Sequence, residues 1–425
     1  MKKINLEGID LVLYQETLPN GLKVYMVPYE NKKNYSCHYG TFYGSRDLSF
    51  TTKDKKKVTT PHGIAHFLEH KMFEQESQID PFTFFTESGT DCNASTSFKV
   101  TDYLCEGTSR FEENLDYLIT YVNQPYFTDE NVQKEQGIIA EEIKMYDDMP
   151  EWQLEGKLRE GVYQKDPIRI DIAGTVDSIA QITKEDLYTC YRTFYQPSNM
   201  FLVITGKFDP NKALEIVKNN EALQKNSIKT TFQKMKIDEP REVCHKYQSL
   251  TKDIMNTKVA FAVKIPWPKK VDHYEFATYC GMILVLLFGM SSSFREEMRK
   301  KNYMTSFYMD REYTDGYITF LFEAESDHPD ELIDEIKKQL ANSKITEAEV
   351  ERIKKSWIAS EVLMADNVST TLDNLIYDLV EFGDIIPDKV NRIRAMNLKR
   401  LEQLRQEIDL KETATVIMKP KKIPE

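Results

Sequence analysis

No Cys-x-x-Cys spacing occurs among the six cysteines, Cys37, Cys92, Cys105, Cys190, Cys244 and Cys280. A chain this long needs no disulfide staples, so reduced thiols are expected, and Cys92, with no base beside it in sequence, reads as packing. Long apolar runs are missing too. The richest, Phe276 to Met290, falls short of the roughly 20 residues that cross a bilayer, which leaves a buried core helix and no membrane partner. There is no excess of positive charge: 56 Lys and Arg stand against 68 Asp and Glu, a net charge of −12. Phosphate binding wants clustered cations, so nucleic acid is excluded as the main partner and a cationic peptide is better received. At the N-terminus Glu7 and Asp10 interrupt any apolar stretch after Lys2 and Lys3, so no signal peptide is expected and a cytoplasmic location is. The charged run Lys53 to Lys57 reads as a solvated loop.

What the chain does have is 41% hydrophobic and 29% charged residues over 425 positions. That is the composition of a globular protein with two domains of about 200 residues each. Its most informative stretch is Pro61-His62-Gly63-Ile64-Ala65-His66-Phe67-Leu68-Glu69-His70-Lys71-Met72-Phe73. On a helix, His66 and His70 lie one turn apart on one face with Glu69 beside them, while Phe67 and Leu68 face a core. This is the H-x-x-E-H order: two neutral imidazoles to hold a divalent metal, and a carboxylate free to accept a proton from water. The alternative is a buried helix with hydrogen-bonded histidines and a surface glutamate. A face made of His62, His66 and His70 is a further alternative, but Pro61 and Gly63 put His62 at the fraying end.

Two histidines do not complete a catalytic zinc site, so a third protein ligand must come from elsewhere. Thr128 to Met149 reads as a helix with Thr128 and Asp129 as caps and Pro150 beyond its end. Glu135 and Glu142 are two turns apart and can point at one place, whereas Glu141 points elsewhere.

His66-Phe67-Leu68-Glu69-His70 followed by Glu135 through Glu142 resembles the pitrilysin, insulysin and mitochondrial processing peptidase family of zinc metallopeptidases, and fits its small bacterial two-domain members best. The resemblance implies one Zn2+ per chain with His66, His70 and Glu142 as ligands, Glu69 as general base and Glu135 behind the ligands. Leu18-Pro19-Asn20-Gly21-Leu22-Lys23-Val24 looks like the family's opening hairpin, with Asn-Gly in the tight turn. Asp91 to Ser97 looks like its edge strand, which makes Asn93 and Ala94 substrate-binding residues for an extended peptide. The plain reading of that stretch is an ordinary strand and turn.

In fold class the chain reads as α+β, with two homologous domains, each a mostly antiparallel sheet packed with helices. Strands are expected within Leu11–Tyr43, through Cys92 and Tyr103, and at 199–205. Helices are expected at 81–87, 111–123, 128–149, 152–163, from Ile182, and at 211–219. The polar stretch 226–242, with Pro240, is the expected linker between a catalytic domain, 1–225, and a C-terminal domain, 243–425. That second half repeats the grammar of the first without a second H-x-x-E-H. The resemblance further implies a clam-like chamber of four such domains, closed by dimerisation. Relatives hold substrate with an arginine and a tyrosine seven residues later. Here Ser306 stands seven after Arg299 and Asn302 seven after Arg295, while Lys301 and Tyr308 are a poor substitute because lysine lacks the guanidinium fork. The expectation is a zinc endopeptidase acting on peptides or precursors, paired with a zinc-free paralogous subunit. A homodimer is the alternative pairing, and a non-catalytic structural core subunit the alternative function.

Overall fold

The computed structural model describes residues 1–226 and 231–421, so part of the expected linker, 227–230, lies outside the described residues. Two compact units result: Met1–Lys144, Asp171–Lys236 and Ser360–Asn391 form the first, and Met145–Ile170, Ile237–Ala359 and Arg392–Glu425 the second.

The first unit is built on a seven-stranded sheet. In chain order its members are β1 (Lys2–Leu6), β2 (Leu11–Thr17), β3 (Lys23–Pro28) and β4 (Tyr35–Thr41); β5 (Ser49–Thr51) and β6 (Lys57–Thr59) form a side hairpin; then come β7 (Asp91–Thr96), β8 (Thr101–Gly107) and β9 (Met200–Gly206). The order is β1-β2-β3-β9-β4-β8-β7, which leaves β7 at an edge, and only the β3/β9 pair is parallel. A short β10 (Gln233–Lys234) joins the hairpin of β5 and β6, whose tip, Lys53 to Lys56, is exposed as expected. In the β2–β3 hairpin Gly21 takes a φ of 96°, while Asn20 serves the turn through its side chain, accepting the Leu22 N–H.

All seven residues of β9 are buried, and the alternation of strand side chains explains why. Leu202 and Ile204 join Cys37, Tyr39, Tyr103 and Cys105 on the face under the helix Ile64–Met72. Phe201 and Val203 join Leu13, Tyr25 and Val27 on the other face. That second face is covered by the helix Val368–Phe382, through Val368, Leu372, Leu375 and Leu379.

The second unit has a five-stranded sheet of β11 (Tyr247–Lys252), β12 (Lys258–Pro266), β13 (Ser306–Tyr313), β14 (Tyr317–Glu325) and β15 (Thr413–Pro420). Its order, β11-β15-β12-β14-β13 with only β11/β15 parallel, repeats β3-β9-β4-β8-β7 strand for strand. The expected repetition of an α+β half is therefore present. Helix His273–Phe288, the apolar run of the sequence, is buried in this unit, with Phe288 against Phe294 and Phe322.

The expected borders at 226–242 need correction, because two helices cross them. Val368–Phe382 carries an apolar stripe that completes the first unit's sheet. Pro150–Val162 buries Leu154, Leu158 and Val162 in the second unit, beside β12 and β15. Nor is 237–242 a free linker. Glu239 accepts the backbone N–H groups of Gln164, Lys165 and Asp166 at 2.7–2.9 Å and pairs with the buried Lys264 at 2.7 Å.

Candidate metal centre

The helix Ile64–Met72 begins at Gly63, whose φ of 86° suits glycine alone; a Cβ there would stand 2.3 Å from the Ala173 carbonyl oxygen. The segment behind it is held the same way. Gly174 has a φ of 76°, and the Ser178 hydroxyl donates to the His62 carbonyl at 2.9 Å. His62 thus lies outside the helix, and a face of three histidines does not form. Ile64, Phe67, Leu68 and Met72 are buried, the stripe expected of an amphipathic helix.

On the opposite side His66 and His70 meet the helix Asp129–Asp147, whose start is capped by reciprocal bonds between Thr128 and Asn131. His66 Nε2 lies 3.7 Å from Glu142 Oε1, and His70 Nε2 lies 3.6 Å from Glu142 Oε2. Among the described residues this is the one group of three or more His, Cys, Asp or Glu whose ligand atoms all fall within 4.8 Å of one another. Tetrahedral coordination with bonds of about 2.0–2.1 Å sets ligand atoms about 3.4 Å apart, and two imidazoles with one carboxylate leave a fourth position free. The donor set fits zinc. Glu135, two turns before Glu142, takes the other side of His70, with Oε1 3.1 Å from Nδ1. Glu141 points away and pairs with Lys144 at 2.7 Å in solvent.

Glu69 is buried beside these groups, and its Oε2 accepts from the Thr96 hydroxyl at 2.6 Å. Thr96 closes β7, and Thr101, its neighbour at 3.3 Å, donates to the Tyr43 carbonyl. Burial pushes the Glu69 carboxyl up against the opposing Thr96 hydrogen bond. Burial and the adjacent His70 press His66 down to about 3, so its ring is neutral, and its buried Nδ1 has no hydrogen-bond partner among the described residues. For His70, burial works against charge, but the hydrogen bond to Glu135 and the carboxylates around it raise the pKa. Burial would raise Glu135; the bond from His70 and the charge of Lys71 outweigh it, and Glu135 lies below the usual range.

Asn93 and Ala94 lie on β7, the sheet's edge strand; Asn93 is exposed and Ala94 half-buried. Asn93 also lines a cavity of about 700 Å³ with Glu69, His70, Tyr126 and the stacked rings of Phe73 and Phe82. Two contributors escaped sequence reasoning. Lys71 stands in the apolar stripe, four after Phe67 and three after Leu68, a spacing that signals burial of a charge. Thr96 shares a strand face with Cys92 and Ala94, but nothing local links it to Glu69.

Residues 57–176 match the family described as insulinase (peptidase family M16), and residues 181–356 the one described as peptidase M16 inactive domain. An uncharacterized zinc protease of Bacillus subtilis, YmfH, is 38% identical over 371 residues, covering 85% of this chain and 85% of its own. The crystal structure of an M16-like peptidase from Alicyclobacillus acidocaldarius superposes with a TM-score of 0.91 at 29% identity, over 97% of this chain and 99% of that one. The periplasmic protease PqqL of Escherichia coli shares the fold, with a TM-score of 0.74 at 18% identity, over 96% of this chain and 47% of its own. Fold and donor set together define a two-unit α+β protein of the zinc metallopeptidase class. The chain belongs to peptidase family M16.

Proposed function

We propose that this chain is the zinc-bearing, catalytic subunit of a cytoplasmic metalloendopeptidase, working with a zinc-free paralogue. One observation carries the reading: His66, His70 and Glu142 converge within ligand distance, with a buried, non-converging carboxylate, Glu69, beside them. Zinc bound there supplies a Lewis acid that polarises a peptide carbonyl and acidifies water. Glu69, steadied by Thr96, takes the proton of the attacking water and delivers it to the departing amine. The open edge of β7 at Asn93 and Ala94 pairs with substrate backbone, which demands an extended peptide and tolerates many sequences.

Two observations support a partner. Arg295 is spent internally, donating to the carbonyls of Phe288 at 2.7 Å and Phe307 at 2.9 Å, and Lys301 pairs with Glu335. A chain of this fold also makes up about half of PqqL, in line with a working unit of twice this length. A non-catalytic structural core subunit is less well supported, since all four residues of the zinc and base set are present. Metal analysis with a quenched-peptide assay tests the reading: stoichiometric zinc and chelator-sensitive hydrolysis in the presence of the paralogue are expected, and absence of zinc would sink it.

A further inference from the structure

Lys71 is fully buried, which lysine almost never is without a partner, and it occupies a helix position where an apolar residue would serve the core better. Its ammonium has two carboxylates to answer. Glu74 Oε2 stands at 2.5 Å and Glu135 Oε2 at 3.5 Å. Glu74 keeps 40% of its side chain in solvent and needs no buried cation, whereas Glu135 keeps 12% and does. The other oxygen of Glu135 lies 3.1 Å from His70 Nδ1, and His70 Nε2 faces Glu142 at 3.6 Å. Lys71, Glu135, His70 and Glu142 thus form one continuous line of contacts, and the first and third are neighbours in the chain.

We propose that Lys71 is a positioning residue for the metal centre: its ammonium pins Glu135 by one oxygen so that the other fixes the His70 ring with Nε2 toward Glu142. The inference rests on the reading of His70 as a zinc ligand. Geometry gives the reason. A carboxylate held only by a ring N–H can swing about its own χ angles and take the ring with it; anchored at both oxygens, it cannot. The partners that orient a ligating histidine typically change metal affinity 10 to 100-fold when removed. Lys71 extends that support one residue further.

The test is zinc competition against a chromophoric chelator at fixed pH for the full chain, Lys71→Met, Glu135→Gln and the double variant, with apo-protein melting followed in parallel. Lys71→Met should weaken zinc about 10-fold, Glu135→Gln by a similar factor, and the double variant should bind within about twofold of Glu135→Gln alone, because Lys71 acts through Glu135. Lys71→Met binding zinc like the parent, or a double variant losing the product of the two single effects, overturns the proposal. If Lys71→Met does not fold, Lys71→Arg and Lys71→Gln replace it. Arginine keeps the cation and should bind more tightly than glutamine, and equal affinities would count against the idea. A parent whose zinc affinity is untouched by His70→Ala would instead overturn the His-His-Glu reading itself.

Discussion

Glu69 and His70 are adjacent in sequence yet make different contacts, and the proposed function gives them different tasks. Glu69 lies outside the group of converging ligand atoms and takes its hydrogen bond from Thr96, so removing its charge leaves the three donors in place. Glu69→Gln should therefore retain zinc by elemental analysis while peptide turnover falls by about 10²–10⁴-fold or more. Normal hydrolysis by that variant would remove Glu69 from the base role. Glu142 and Glu141 differ in the same checkable way. Glu142→Ala should strip the metal and Glu141→Ala should not, since Glu141 is 75% exposed beside Lys144; zinc loss from the second alone would shift the ligand by one residue. Glu323 on β14 offers a pH experiment away from the site. Burial, aided by the charge of Glu155, lifts its pKa from 4.5 to about 7. The folded state then keeps a proton that the unfolded chain releases between those values, so this group's contribution falls as pH rises from 4.5 to about 7 and is flat above. In chemical denaturation Glu323→Gln should be more stable than the parent at pH 8, by about 1–3 kcal/mol, and no more stable at pH 4.

At the scale of elements, the histidine helix depends on how its first residue meets the 171–175 segment. Gly63→Ala would force a Cβ within 2.3 Å of the Ala173 carbonyl at a φ of 86°. A loss of about 2 kcal/mol or more is expected in chemical denaturation. An unchanged midpoint would mean that the segment yields easily and does not fix the helix. Much of this was readable locally. The one-turn spacing of His66 and His70 and the two-turn spacing of Glu135 and Glu142 predict shared faces whatever surrounds them. The sharp turn at Gly21 and the strand alternation of β4 and β8 are equally local. The caps at Thr183 and Asp186 bond reciprocally, as that sequence implies.

For the whole molecule, the expectation concerns company. Purified alone, the chain should carry zinc and hydrolyse quenched peptides slowly. Adding the zinc-free paralogue should raise the rate, and deleting the paralogue's substrate-holding arginine should abolish the gain. Strong hydrolysis by a homodimer would refute the pairing. The net charge of −12 bears on the substrate only through this assay, by favouring cationic peptides over anionic ones of equal length at low salt.

The sequence by itself determined the elements and the chemistry of their faces, because helix and strand periods dictate which side chains share a side. It therefore carried the shared face of His66 and His70, that of Glu135 and Glu142, and the repeated α+β halves, while the proposed roles of Glu142, Glu69 and the edge strand came from the family resemblance. It could not decide which sheet each amphipathic helix covers. An apolar stripe such as Val368, Leu372, Leu375 and Leu379 is compatible with either sheet, and only packing commits it to the first unit while Pro150–Val162 joins the second. Nor could it show that Thr96 reaches Glu69, 27 positions away, or that Lys71 is sealed between Glu74 and Glu135. The Thr96–Glu69 and Lys71–Glu135 contacts join segments that no local period connects, and burial gives them weight by withholding water from the charge and the carboxylates that make them.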